Sequence, residues 1–270
     1  MTAAHGPEGL DPAIPGPTGL DPADSAATGS SPDGLDPAEV LRRYLITDRA
    51  TPHLRVNFVS SLDGAATHDG VSGGLGDDAD RLVFDTVRML TDVILVGAGT
   101  VRAEGYGGIR FSPEAVAWRL AHGLPEHPPV AIVSARLDLD PAHPVFTRAA
   151  TRPIIVTRGQ APAERRAALA AVADVLVCGD ASVDHSLMVT TLTERGYPQV
   201  LCEGGPSLFG SLLAADAVDE LCLTLAPLLE SGSAGRIAAA TEAAPRRMRL
   251  VHALPAADTL LLRYQRAREL

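Results

Sequence analysis

The sequence contains no lysine: all 23 basic residues among its 270 are arginine. That removes Schiff-base and pyridoxal-phosphate enzymes, which need a lysine amine, and the P-loop, which needs its lysine beside the glycine-rich turn. Basic charge is also outweighed, 23 against 33 acidic residues for a formal net charge of -10. This is the wrong sign for a partner with phosphates along its whole length, so nucleic acid is excluded as a partner. Three cysteines occur, Cys178, Cys202 and Cys222, each inside an apolar strand-like run. None has metal-ligand or redox spacing, so they read as core thiols of a reduced, cytoplasmic protein. The eight histidines are scattered. His-x-Glu followed by Pro-Cys-x-x-Cys is missing, which excludes the zinc-deaminase signature, and no metal site is expected. There is no run of 18 apolar residues, and the amino terminus lacks the basic start and apolar stretch of a signal peptide, so neither a membrane span nor export is expected. Aromatics are scarce at 4%, and the single tryptophan, Trp118, lies among Val116, Ala117 and Leu120 in a helix-packing pattern.

What is present divides the chain. Residues 1–37 are rich in Gly, Pro, Ala, Asp and Ser and repeat Gly-Leu-Asp-Pro-Ala at Gly9, Gly19 and Gly34. Such a segment buries too little apolar surface to offset its ordering entropy and reads as a disordered tail. Residues 38–270, within a chain that is 46% hydrophobic, read as one domain. Asp36-Pro37-Ala38-Glu39 predicts an N-cap and a first-turn proline opening a short helix. From His53 onward strand-like and helix-like segments alternate: strands at 53–60, 92–97, 129–134, 153–157, 174–178 and 198–202, helices near 77–90, 113–121, 160–172, 184–195 and 206–215. This alternation predicts a mainly parallel sheet covered by helices. Past Asp216 the helices stop. Three strand-like runs, 218–225, 248–254 and 259–264, predict antiparallel pairing at one side of the sheet, with a long loop over 231–247.

Two strand-ending turns carry the functional signal. Val200-Leu201-Cys202 runs into Glu203-Gly204-Gly205-Pro206-Ser207-Leu208, in which two glycines permit close backbone approach and a proline opens a helix. Its free first-turn N–H groups and positive dipole end attract a pyrophosphate. Asp92-Val93-Ile94-Leu95-Val96 likewise ends in Gly97-Ala98-Gly99-Thr100-Val101. Ligands of open α/β sheets bind at the carboxyl ends of strands, so the two turns predict a grip on one dinucleotide from two sides. A third strand ends in Ser60-Ser61-Leu62-Asp63-Gly64, putting a hydroxyl and a carboxylate at the same edge. A serine-aspartate turn is also a common cap or Asx-turn. Beyond Val130-Ala131-Ile132-Val133, Ser134 and Arg136 suit a 2′-phosphate, which favours NADPH over NADH.

Together, Ser61-Leu62-Asp63-Gly64, Val96-Gly97-Ala98-Gly99-Thr100-Val101, Glu203-Gly204-Gly205-Pro206-Ser207-Leu208, Val218-Asp219-Glu220-Leu221 and Ala226-Pro227-Leu228-Leu229 resemble the reductase domain of the bifunctional riboflavin-biosynthesis deaminase-reductases, over about residues 53–266. The resemblance implies an α/β, dihydrofolate-reductase-like fold with helices on both faces, a homodimer, and NADPH as cofactor. It implies reduction of the ribosyl group of 5-amino-6-ribosylamino-uracil 5′-phosphate to ribityl by hydride transfer to C1′ of the open-chain imine. Asp63 is expected to hold the sugar or relay a proton, and Glu203 to orient substrate or nicotinamide. Gly97, Thr100 and Val101 are expected at the nicotinamide half and pyrophosphate, with Gly204, Gly205, Ser207 and Leu208 closing from the other side. Ser61, Asp63 and Arg110 are the expected substrate contacts.

The chain departs from that pattern in three places. Ala65 stands where many members keep a lysine after Asp-Gly. Ala103-Glu104-Gly105-Tyr106-Gly107-Gly108-Ile109-Arg110 replaces Ala-Asp-Asn-Pro. The low-complexity tail stands where the deaminase half usually precedes the reductase. These departures keep two other readings open: a dihydrofolate- or pteridine-type reductase on the same fold, and a non-catalytic NADPH-binding protein.

Overall fold

A computed structural model describes residues 34–267. Its centre is a nine-stranded sheet made of β1 (His53–Ser61), β2 (Val93–Gly97), β3 (Val130–Val133), β4 (Ile154–Thr157), β5 (Asp174–Val177), β6 (Gln199–Cys202), β7 (Glu220–Ala226), β8 (Met248–Ala256) and β9 (Thr259–Arg266). The helices are α1 (Pro37–Tyr44), α2 (Asp78–Met89), α3 (Ala98–Ala103), α4 (Pro113–Ala121), α5 (Pro144–Thr147), α6 (Ala163–Ala170), α7 (His185–Glu194) and α8 (Pro206–Ala214). Strand order is β5-β4-β3-β2-β6-β1-β7-β9-β8. The expected α/β class holds: β5 through β7 are mutually parallel, and β9 and β8 complete the sheet antiparallel. One detail differs from expectation. β7 pairs parallel with β1 on one side and antiparallel with β9 on the other, because the chain returns to β7 through α8 and only then turns into strand-to-strand connections.

Side chains alternate across the sheet and sort the helices onto its two faces. Leu54, Val56, Val93, Leu95, Val156, Val200 and Cys202 face Met188 and Leu192 of α7 and Leu208 and Leu212 of α8. The intervening residues face the other way. Val96, Ile132 and Ile155 pack with Val101 of α3 and Leu169 of α6, while Leu201, Cys222 and Leu261 pack with α1 and α2. All three cysteines are buried, as their strand context predicts. The helix starts obey the capping logic: Asp36 accepts from Ala38 N, and Asp77 from Asp80 N at 2.8 Å. The repeat copies at Gly9 and Gly19 lie outside the described residues.

α1 is tied to the sheet by a buried charge cluster. Glu220, fully buried, accepts from Arg55 Nε (2.5 Å) and Arg263 Nη2 (2.7 Å), while Arg55 donates to the Tyr44 carbonyl. Burial alone raises the pKa of Glu220, but Arg55, His53 and Arg263 outweigh it and hold the carboxyl well below its ordinary range.

Candidate active site

The chain runs from β2 outward through β3, β4 and β5, then returns to insert β6 between β2 and β1. α3, which follows β2, and α8, which follows β6, therefore leave on opposite faces, and a crevice opens between them at the strands' carboxyl ends. Both expected glycine turns sit there, joined directly: Gly97 N donates to Gly204 O at 2.8 Å, and Glu203 N to Leu95 O at 2.9 Å.

The glycines are demanded by particular neighbours. Gly204 has φ +97°, and a Cβ there would lie 2.9 Å from Cζ of Phe58, whose ring stacks on Phe209. The aromatic wall, then, forbids a side chain at Gly204. A Cβ at Gly205 would lie 2.6 Å from Thr100 Oγ1, so that glycine lets the two turns touch.

Two clefts meet at this seam. The larger, about 690 Å³, is lined by Gly97, Ser134, Arg136, Ser207 and Leu208, five of the expected cofactor residues. Arg102, Arg158 and His185 line it as well. Arg158, just past β4, donates to the carbonyls of Ala135 (3.0 Å) and Ala181 (2.6 Å), which fixes it between the segments that follow β3 and β5. The one acid in this wall, Asp138, lies 3.8 Å from Arg165. The smaller cleft, about 330 Å³, is lined by Asn57, Phe58, Ser72, Asp80, Phe84, Arg88, Thr100, Tyr106, Glu203 and Gly205, among others.

Glu203 stands in the smaller cleft as one corner of a charged unit. Arg88 clasps it with two parallel bonds, Nε to Oε1 at 2.6 Å and Nη2 to Oε2 at 2.7 Å, and the Tyr106 hydroxyl donates to Oε2 as well. The carboxylate is almost wholly buried and the guanidinium mostly so. Burial, and then the adjacent Glu203 charge, push the Tyr106 phenol well above its usual pKa, so it stays a donor. Burial lowers the pKa of Arg88, but Glu203 more than offsets it, and the net shift is upward. With both oxygens held by Arg88 and one also by the Tyr106 hydroxyl, the Glu203 carboxylate is fixed in position.

The remaining expected residues fall elsewhere. Ser61 and Asp63 line neither of these clefts. The Asp63 carboxylate is exposed to solvent and accepts from the Ser61 hydroxyl, Glu230 N (3.0 Å) and Ser231 N (2.7 Å). Those bonds, the Ser61 hydroxyl first, hold its pKa down at about 2. Through these bonds Asp63 fastens the segment after β7 to the end of β1, as a turn cap does. Arg110 is exposed and also lines neither cleft. Val101 is fully buried against Val96 and Ile132, which leaves only its backbone to face a ligand.

With the geometry in place, the comparisons decide the family. Residues 52–262 match the model of the RibD C-terminal domain. The chain belongs to that family. The 2,5-diamino-6-ribosylamino-4(3H)-pyrimidinone 5′-phosphate reductase of Methanothermobacter thermautotrophicus is 31% identical over 186 residues, covering 68% of this chain and 82% of its own. The riboflavin biosynthesis protein RibD of Mycobacterium tuberculosis is 31% identical over 195 residues, 71% of this chain and 47% of that protein, so the match spans about half of it. Among solved structures, a pyrimidine reductase-like protein from Corynebacterium diphtheriae superposes with TM-score 0.78 at 24% identity, covering 87% of this chain and all of that one. The chain is an oxidoreductase of the riboflavin-biosynthesis reductase family.

Within this RibD-type domain, sequence reasoning missed Arg88, Tyr106, Asp80 and Arg158. Arg158 follows β4 as Arg136 follows β3, so the same strand-end logic would have found it. Arg88 and Asp80 lie about two turns apart on the same side of α2, and nothing in their local sequence marks them. Their place in the cleft follows from how α2 packs across β6 and β7.

Proposed function

We propose that the chain is an NADPH-dependent reductase of a 5-amino-6-ribosylamino-pyrimidine 5′-phosphate, the uracil compound or its 2-amino counterpart, converting ribosyl to ribityl. The observation that carries this reading is two clefts side by side along the glycine seam: Gly97, Gly99 and Ser207 line the larger, basic and nucleotide-sized one, and Thr100, Gly205 and Pro206 the smaller one, walled by aromatics around a fixed carboxylate. A dinucleotide lying across the glycine seam reaches both. Gly97, Gly204 and Gly205 let the two turns close on each other beside it, the backbone of Thr100 and Val101 faces its nicotinamide half, and the amides of Ser207 and Leu208 open toward its pyrophosphate. Ser134 and Arg136, backed by Arg102 and Arg158, supply a hydroxyl and guanidinium groups for a 2′-phosphate, which favours NADPH over NADH.

The cofactor, when bound, supplies the hydride that reduces C1′ of the open-chain imine. The chain supplies orientation and charge. The Arg88–Glu203–Tyr106 unit places a rigid, charge-paired polar wall in the smaller cleft, suited to orienting the sugar against the nicotinamide. Phe58 and Phe84 flank the space left for the heterocycle. Ser61 and Asp63 act on the substrate indirectly by anchoring the segment after β7, and Arg110, exposed on the 103–110 loop, is available to the substrate phosphate. We further infer a single cytoplasmic reductase domain that pairs as a homodimer. Among the described residues no helix is long and apolar enough to cross a membrane, and Leu250 and Val251 stand exposed on edge strand β8.

The test is NADPH oxidation, followed at the nicotinamide absorbance band, with the two ribosylamino-pyrimidine phosphates and dihydrofolate supplied in parallel. Rapid turnover of a ribosylamino-pyrimidine phosphate supports the reading. NADPH binding without its turnover refutes it.

A further inference from the structure

One wall of the smaller cleft is a short hairpin that follows β1. His68 N donates to Val71 O (3.0 Å) and Val71 N to His68 O (3.1 Å), with Asp69 and Gly70 between them at φ +50° and +83°. Positive φ at both central residues is the type I′ turn that an Asp-Gly pair favours. Thr67, Ser72 and Gly73 of this segment line the cleft. Little apolar contact holds the hairpin down: within residues 66–76 only Ala66 and Leu75 are buried, and Gly70, Gly73, Gly74 and Gly76 bring no side chain at all. A segment with so few buried side chains opens at low cost.

Polar ties hold it instead. Ser72 N donates to Glu104 Oε1 at 3.0 Å, which joins the hairpin to the 103–110 loop, and Ala66 N donates to Gly235 O at 2.8 Å. The third tie is ionic. His68 Nδ1 lies 2.8 Å from Glu230 Oε2, on the segment after β7 that Asp63 fixes through the amides of Glu230 and Ser231. The His68 ring sits against Gly74, where a Cβ would lie 3.1 Å from its Cδ2. Among the described residues the charged groups that face the ring are Glu230 and, 3.6 Å from Nε2, Asp69 of the turn. Both are carboxylates, and both favour the imidazolium.

Resting on the reading of the smaller cleft as the substrate's, we propose that the His68–Glu230 pair is a pH-sensitive latch on this hairpin, holding it against the cleft while the imidazole carries its second proton and loosening it when that proton leaves. The hydrogen bond to Glu230, then the Glu230 charge and then Asp69, raise the pKa of His68. A pKa raised in the latched state means that latching takes up a proton. The tie is therefore at full strength below about 6.5, the ordinary histidine value, and weakens as pH rises through the raised one. A neutral ring still offers one N–H, so the hydrogen bond survives and its charge assistance goes. The ring is half-exposed, so water and salt screen the pair, and the latch is worth a factor of about 2–5 in the ratio of closed to open hairpin.

The experiment is amide hydrogen exchange on the full chain, without ligands, between about pH 6 and about pH 8.5, expressed as protection relative to the intrinsic rate so that catalysis by hydroxide divides out. In the wild type, protection at Ala66, His68 and Ser72 is expected to fall about 2- to 5-fold more than in β1 and β6 as pH rises. Added salt should lower it at the acid end and leave the alkaline end unchanged. His68→Gln and Glu230→Gln are expected to show the loosened value at both ends, and His68→Arg, a permanent cation, the tightened value at both. The hold on substrate is read in KM for the ribosylamino-pyrimidine phosphate at saturating NADPH. His68→Gln should stand about 2- to 5-fold above wild type at the acid end, and the two should converge at the alkaline end. Comparing the two proteins at each pH cancels the titration of the substrate's own phosphate. Wild-type protection that is flat with pH, or that changes equally in His68→Gln, overturns the latch, and a KM ratio that stays constant overturns its hold on substrate. If no pyrimidine is reduced, the reductase reading fails by itself, and the exchange data still decide the latch.

Discussion

Arg88→Met isolates the contribution of the charged unit at the centre of the smaller cleft. Methionine keeps much of the aliphatic volume of the arginine and removes its charge and both bonds to Glu203. The carboxylate is then left at 1% side-chain exposure with a single phenol as partner. Removing one partner of a buried ion pair costs about 3–5 kcal/mol, because the remaining charge is stranded away from water. For a domain of this size each kcal/mol shifts Tm by about 2–4 °C, so a fall of about 6–20 °C is expected. Adding Glu203→Gln removes the stranded charge while keeping an acceptor for Tyr106, and at least half of the lost stability should return. In a thermal-unfolding double-mutant cycle the coupling is expected at about 2 kcal/mol or more. Turnover of the ribosylamino-pyrimidine should fall about 100-fold in Arg88→Met, while NADPH affinity holds, because Arg88 lines the smaller cleft and not the larger. A Tm change under about 3 °C, or strictly additive effects in the cycle, would refute the reasoning that the pair is buried and rigid.

Gly205→Ala brings a Cβ against the Thr100 hydroxyl, the movable end of a side chain, so the fold should survive while NADPH affinity in a fluorescence titration drops about tenfold. Gly204→Val meets the Phe58 ring at positive φ; it should lose both stability and cofactor binding, and unchanged values for both would show that the seam is not where the nucleotide lies. Arg136→Met, at an exposed guanidinium, should weaken NADPH about 10- to 100-fold and leave NADH unchanged, the size of one charged hydrogen bond. His252, edge-on to Tyr44, has its pKa lowered to about 4 by burial and by Arg263 and Arg43. A histidine pKa depressed in the folded state means that the unfolded chain takes up the proton first. Stability should therefore fall by up to about 1.4 kcal/mol per unit as pH drops from about 6.5 to about 4, and denaturant titrations of His252→Gln should show a shallower fall.

The order of elements was legible because it depends on local pattern. Apolar runs gave β1 through β6 within a residue or two, and Asp36-Pro37 marked the start of α1. The six-residue α3 escaped notice because it begins directly on the glycines of its turn, where a nucleotide loop and a helix start read alike. The parallel pairing of β7 with β1 was hidden because strand direction is set by the path through α8 and not by composition. At the site, backbone features carried over best, and Gly97, Gly204, Gly205 and Ser207 all border the clefts or the seam between them. Side chains at strand ends were harder. Ser61 and Asp63 have a local partner in the segment after β7, and a carboxylate that satisfies nearby amides looks in sequence like one that faces a substrate. Arg88 was invisible for the opposite reason, since its partner Glu203 lies more than 100 positions away and only the fold brings the two together.

The most direct test of the central claim is isotopic. The protein is given NADPH carrying deuterium at both C4 positions, together with a ribosylamino-pyrimidine phosphate, and the product is read by mass spectrometry and NMR. One deuterium at C1′ of a ribityl chain is the expected result, since it identifies the nicotinamide as hydride donor and the sugar carbon as acceptor. A product without deuterium at C1′, or no reduced pyrimidine from a protein that binds NADPH, would contradict it.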